Sequence, residues 1–298
     1  MERKRLIGLD SKTYEHEFDR KTLATLSALP GFDKVVNFFL NWGYVKWHLV
    51  DLQGSNFQVT RESCPELYKI AHDAADVLDV HPMPRMYTSW AYNINGHTTG
   101  YKQDVLVMLN TGTIDLLTED EMRFILSHEY GHIRSNHVLY HTMAALFNDA
   151  LSSIPIAKQL SLPIQYGLYY WQRMSEFTSD RAGLLGCQNI DAALSAIIKM
   201  SGAPMKYYDQ IDRDAFIKQA YEFRKSFNGF TDEAIKFLSI LDSSHPWTVL
   251  RAAELLLWYE SGEYQRILDS IHTISCPHCN HQIAAEVSPC PFCGSVIK

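Results

Sequence analysis

Chemistry enters this chain through three groups of residues. The first is Ser127-His128-Glu129-Tyr130-Gly131-His132, which contains His-Glu-x-x-His. On a helix, residues four apart share a face, so His128 and His132 can both reach one ion. Glu129 lies about 100° further round, where it flanks that ion without binding it. Two imidazoles on Zn²⁺ with a carboxylate beside them, handling the proton of a bound water, form a hydrolytic centre once a third ligand is supplied. The second group is Glu176 and Asp180, four apart in Arg173-Met174-Ser175-Glu176-Phe177-Thr178-Ser179-Asp180-Arg181. One of these carboxylates can bind the ion while the other reaches a ligand histidine; equally, both can lie on a solvated face beside the two arginines. The third group is Cys276, Cys279, Cys290 and Cys293, two CxxC pairs at the tail. Such a pair of knuckles can close a tetrahedral site of four thiolates, with Gly294 allowing the tight turn after the second. A segment this short buries no core of its own, so a structural Zn²⁺ must supply its folding energy. A redox pair of dithiols is the alternative.

The elements that must position these groups are legible in part. Thr118-Glu119-Asp120-Glu121 predicts a helix start, with Thr118 as N-cap, Glu121 completing a capping box, and three acids at the positive helix end. Continued as one helix, this segment carries His137 and His141 to the side away from His128, which sets both aside as ligands. Upstream, Ser63 and Glu66 form a second capping-box pair before a helix with Pro65 in its first turn. Arg85 to Tyr92 and Val105 to Leu109 predict strands, with Asn93 to Gly100 a polar loop between them. A strand edge beside the metal helix can take up an extended peptide by backbone pairing, or be an ordinary edge. Tyr44 to Leu52 alternates with period two and predicts a hairpin with Phe57 to Thr60. Residues 19–42 read as mostly helical. Further helices are expected over Asp191 to Met200, Ala215 to Phe227, Thr231 to Leu241 and Leu250 to Tyr259.

Composition bounds the function. The chain has 298 residues, 46% hydrophobic and 20% charged, in the range of a globular protein with a substantial core. Its net charge of −7 argues against nucleic acid as a partner. No stretch reaches the roughly 18 apolar residues expected of a membrane span, and the isolated Cys64 and Cys187 fit a reducing compartment. A cytoplasmic protein is expected. Tyr166, Tyr169, Tyr170 and Trp171 suit a membrane interface or a groove, but core packing is preferred, so peripheral membrane contact is not favoured.

The combination resembles metallopeptidase family 48, the gluzincins that include HtpX peptidases and CAAX prenyl proteases. Here stand HEYGH, SEFTSDRAG, then Ser244-His245-Pro246 with Arg251 six residues after that histidine. Asn95 to Gly100 resembles the family's Asn-Ala-x-x-x-Gly loop. Gly96 stands where the family has alanine, and Ser179 stands where alanine usually precedes the aspartate. The resemblance covers about residues 60–260 and implies an α+β, mainly α, zincin-like domain with a small edge sheet. It implies that His128, His132 and Glu176 hold the catalytic Zn²⁺, with Glu129 as general base, Asp180 orienting a ligand histidine, His245 near the oxyanion and Arg251 supporting the site. From residues alone, His245-Pro246 is a plain helix start. The expected organisation is an N-terminal helical and hairpin region over 1–60, a metallopeptidase domain over 61–268 and the four-cysteine zinc ribbon over 272–298. The expected substrate is a polypeptide, and the ribbon can recruit a protein partner. A silent zinc protein acting only through that ribbon is the competing reading; the presence of Glu129 argues against it, since a structural site needs no base.

Overall fold

The computed structural model describes residues 3–41, 43–152, 155–229, 247–285 and 287–297. Three N-terminal helices, α1 (Glu17–Ser27), α2 (Phe32–Asn41) and α3 (Tyr44–Ser55), precede strand β1 (Phe57–Val59) and helix α4 (Pro65–Val77). Strands β2 (Arg85–Ser89), β3 (Gly96–Tyr101) and β4 (Asp104–Asn110) follow, then the short α5 (Thr111–Leu116). Helices α6 (Glu119–Arg134), α7 (Val138–Ser152), α8 (Pro155–Cys187), α9 (Ile190–Met200) and α10 (Arg213–Gly229) form the body. After the undescribed residues 230–246 come α11 (Thr248–Glu260), α12 (Glu263–Ser270) and the hairpin β5 (Thr273–Ser275) and β6 (Gln282–Ala284). The described residues are mainly helical, with a small four-stranded mixed sheet in the order β1-β2-β4-β3 and the separate two-stranded β5-β6.

Two sequence expectations fail here, each for an identifiable reason. Tyr44 to Leu52 is helix, not strand. Val45 and Leu49 are buried while Trp47 and Val50 are more than half exposed, so the true period is four and the alternation was a by-product of it. β1 pairs antiparallel with β2 instead. The stretch expected as a loop, Asn93 to Gly100, holds β3, which pairs with β4 at one edge of the sheet. Its threonines read as loop residues because they serve other groups: Thr98 donates to Glu129, and Thr99 bonds Thr142 on α7. A smaller correction concerns Ser63. Its hydroxyl is held in the turn from Thr60, and α4 starts at Pro65 without a side-chain cap.

The Thr118–Glu121 capping box is formed as expected. Glu121 does more than cap. Its buried carboxylate accepts from Lys199 Nζ at 2.8 Å, from Thr118 N at 2.7 Å and from Ser195, tying α9 to the start of α6. Burial would raise this carboxyl, but the three donors hold it below the ordinary carboxylate range. Its contribution is therefore present above the unfolded pKa of about 4.3 and lost as pH falls through the lower folded value. Glu121→Gln leaves Lys199 buried without its counter-ion. Urea denaturation at pH 7 is expected to show a loss of about 3–5 kcal/mol, with the gap from wild type closing as pH drops below the carboxylate range.

Candidate metal centre

The site is built where α6 crosses α8, and small residues set how close the two helices come. A Cβ on Gly131 would lie 2.5 Å from Ala182 Cβ and 3.3 Å from Ser179 Cα; one on Gly183 would meet the Phe124 ring at 2.8 Å. Gly186 faces Ser127 in the same way. Ser179 is fully buried at this crossing, so a small side chain is what the position requires. With the backbones this near, His128 and His132 from α6 and Glu176 from α8 project into one space.

The three residues form a triangle, with one Glu176 carboxylate oxygen turned toward each histidine. His128 Nε2 and His132 Nε2 are 3.2 Å apart, His128 Nε2 and Glu176 Oε2 3.3 Å, and His132 Nε2 and Glu176 Oε1 3.4 Å. Three ligands at zinc bond lengths and tetrahedral angles stand about 3.4 Å from one another. The donor set, two imidazole nitrogens and a carboxylate oxygen, and the spacing therefore fit Zn²⁺. Of the alternatives open for Glu176 and Asp180, the solvated face is excluded, because both are buried.

Behind the triangle, His128 Nδ1 faces Asp180 Oδ1 at 3.0 Å. Arg251, buried on α11, grips Asp180 with both prongs: Nε donates to Oδ2 at 2.7 Å and Nη2 to Oδ1 at 2.6 Å, while Nη1 lies 3.4 Å from Glu176 Oε2. Burial alone would raise the Asp180 and Glu176 carboxyls; Arg251 and the histidines hold both below their ordinary range. Burial would likewise lower His128, but Asp180 and Glu176 pull it up to about 9, whereas His132 is left at about 4.

Glu129 sits beside the triangle and outside it. Thr98 Oγ1 donates to its Oε2 at 2.7 Å, and burial pushes its carboxyl up to about 7, the range in which a general base works best near neutral pH. A Cβ on Gly96 would stand 3.2 Å from Glu129 Oε1 and 3.0 Å from Leu109 Cδ2, so glycine leaves that carboxylate its space. A cleft of roughly 210 Å³ opens over these groups, bordered by β3, and continues into a larger one of roughly 640 Å³ past Asn95, Met200 and Arg251. At the far end of β3, Thr142 on α7 binds both the N–H and the C=O of Gly100. Period-two alternation places the N–H and C=O of Thr98 and Gly96 along that same outer edge, nearer the cleft.

The placement expected for His137 and His141 fails, although neither belongs to the triangle. Helix α6 ends at Arg134, and Asn136 takes φ 58°. His137 N then bonds His132 O at 2.9 Å and Asn136 N bonds Ile133 O at 3.1 Å, a Schellman closure that folds the chain back. Projection along one helix does not apply past it. His137 Nδ1 comes to 3.2 Å from His132 Nδ1, and His141 lines the cleft with its Nε2 2.8 Å from Ser175 Oγ. Ser135-Asn136 was the available signal, since asparagine is a common left-handed residue after a helix. Thr98 and Asp19 carried no comparable mark. His245 and Pro246 lie outside the described residues. Of the aromatic run, Trp171 is fully buried and Tyr166 is 44% exposed.

At the tail, the four cysteine sulfurs lie within 4.8 Å of one another. Cys276 and Cys293 are 3.8 Å apart and Cys279 and Cys290 3.7 Å, far beyond a disulfide and close to the edge of about 3.8 Å expected for a tetrahedral zinc thiolate site. Each knuckle turns on a left-handed residue, Asn280 in one and Gly294 in the other.

Among the described residues, no helix is long and apolar enough to cross a membrane. A family model described as Peptidase family M48 matches residues 62–258. The chain is 28% identical to the plastoglobule-localized metallopeptidase 48, chloroplastic, of Arabidopsis thaliana, across 87% of this chain and 76% of that one. It is 26% identical to a protease HtpX homolog of Burkholderia thailandensis, across 82% of this chain and 89% of the relative. A protease HtpX homolog of Streptococcus gordonii is 33% identical over 98 residues, a third of each chain. No solved structure matches the chain.

Proposed function

The chain belongs to peptidase family M48, and from that premise we propose that it is a zinc-dependent endopeptidase acting on polypeptides in an extended conformation. The observation that carries this reading is the triangle of His128, His132 and Glu176 with Glu129 beside it in a cleft. Zn²⁺ held there supplies Lewis-acid polarisation of the scissile carbonyl and of water. Glu129 takes the proton of the attacking water and delivers it to the leaving amine. Thr98 fixes the carboxylate for that exchange. Asp180 accepts from His128 Nδ1–H and so leaves Nε2 free to act as a ligand, while Arg251 fixes Asp180. The free edge of β3 at Gly96 and Thr98 suits pairing with an extended substrate backbone. To His245 we assign, from the family likeness alone, the stabilisation of the oxyanion.

We divide the chain into an N-terminal region over 1–60, the catalytic unit over 61–268 and a ribbon over 272–298 that holds a second, structural Zn²⁺. The exposed Phe292 and Val296 support a protein partner at that ribbon. The unpaired Cys64 and Cys187 support a reducing compartment such as the cytoplasm.

The test is Glu176→Ala. Wild type is expected to carry two zinc ions per chain and to hydrolyse unfolded casein. The variant should carry one ion and show no hydrolysis. Hydrolysis that survives in Glu176→Ala would remove this site from the reaction.

A further inference from the structure

We propose that Asp19 on α1 is a positioning residue of the metal centre, acting through His137 on His132. The N-terminal segment, outside the stretch matched by the family model, would thus complete the site. The proposal rests on the reading of the triangle as a zinc site.

Proton bookkeeping makes the chain of contacts directional. If His132 Nε2 serves as a ligand, the ring carries its proton on Nδ1. That N–H faces His137 Nδ1 at 3.2 Å, which must then accept, leaving His137 to carry its own proton on Nε2. His137 Nε2 lies 3.1 Å from Asp19 Oδ2. Each donor meets an acceptor, and one tautomer of each ring satisfies the whole chain. His128 and His132 are thereby served alike: Asp180 backs the first directly, and Asp19 backs the second through one intervening imidazole.

Asp19 is itself built in. It is fully buried, Trp171 Nε1 donates to its Oδ1 at 2.8 Å, and Thr178 Oγ1 donates to its Oδ2 at 2.6 Å. Both donors lie on α8, the helix that carries Glu176. Among the described residues no lysine or arginine pairs with it; its remaining partner is the His137 ring, neutral in this relay. A buried carboxylate without a fixed cation is costly, and a site that draws on its charge through His137 accounts for it. Outer partners of this kind orient a ligand ring and raise its basicity, and losing one lowers metal affinity about 10–100-fold.

The experiment measures zinc affinity of the full-length protein by competition with a chelator, taking as the catalytic-site step the one that Glu176→Ala abolishes. Asp19→Asn is expected to weaken that step about 10–100-fold and to leave the second zinc untouched. Leu26→Ala, on the same helix about two turns beyond Asp19 and buried beside Gly167 of α8, is the control. It should lower thermal stability and leave the zinc affinity of the folded protein unchanged. Should Asp19→Asn fail to fold, His137→Gln breaks the relay one link nearer and is expected to weaken the same step. Wild-type affinity in the folded Asp19→Asn protein, or in His137→Gln where that variant stands in, would overturn the proposal. So would equal weakening by Leu26→Ala. Absence of any zinc step sensitive to Glu176→Ala in wild type would instead overturn the function proposed above.

Discussion

Glu129→Gln is expected to lower kcat for hydrolysis of an unfolded polypeptide by about 10²–10⁴-fold while leaving zinc per chain unchanged. The substitution keeps the volume of the side chain and an oxygen for the Thr98 hydroxyl. It removes only the capacity to take a proton. Glu129 contributes no atom to the triangle of His128, His132 and Glu176, so metal retention should not depend on it. On the proposed pairing of substrate backbone with β3 and not with Glu129, KM should move little, and the loss should fall on kcat. Steady-state kinetics with zinc analysis of the same samples checks both parts. Loss of zinc along with activity would mean that Glu129 holds the metal.

Arg251→Met should cost about 3–5 kcal/mol of stability by urea denaturation, the largest structural effect expected at the site. Arg251 is 1% exposed, and it is the cation shared by two buried carboxylates, Asp180 and Glu176. Methionine keeps much of the volume and leaves both acids without their fork of donors. Arg251→Lys is the informative companion. It restores a charge but not the two parallel bonds to Asp180, so it should recover part of the loss. A stability equal to wild type in Arg251→Met would show that Asp180 does not carry its charge in the folded protein.

Much of this site was legible in the residues, and the reason is local periodicity. Two histidines four apart, and a capping box that starts their helix, are statements about a single helix, so spacing alone places them. Glu176 was legible only as half of a pair with Asp180. Choosing between them as ligand needed the family likeness, since nothing in the sequence says how α6 and α8 are rotated about each other. The four cysteines needed no tertiary information. What escaped depends on chain reversal or on distant segments. The turn at Asn136 brought His137 back to His132, against the expectation from one continuous helix. Asp19 reaches His137 from more than a hundred residues upstream. β3 was mistaken for a loop because its polar residues pair with Glu129 and α7, a use of threonine that resembles solvation in a single sequence. Tyr44 to Leu52 failed for a different reason, a short apolar stretch compatible with two periods.

The most direct test of the central claim is hydrolysis of unfolded casein by the full-length protein before zinc removal, after it, and after zinc is restored. Peptide-bond cleavage is expected in the first and third states and not in the second, with the regained activity tracking occupancy of the step that Glu176→Ala abolishes. Cleavage that persists after that ion is gone, or no cleavage by protein carrying both ions, would contradict the account.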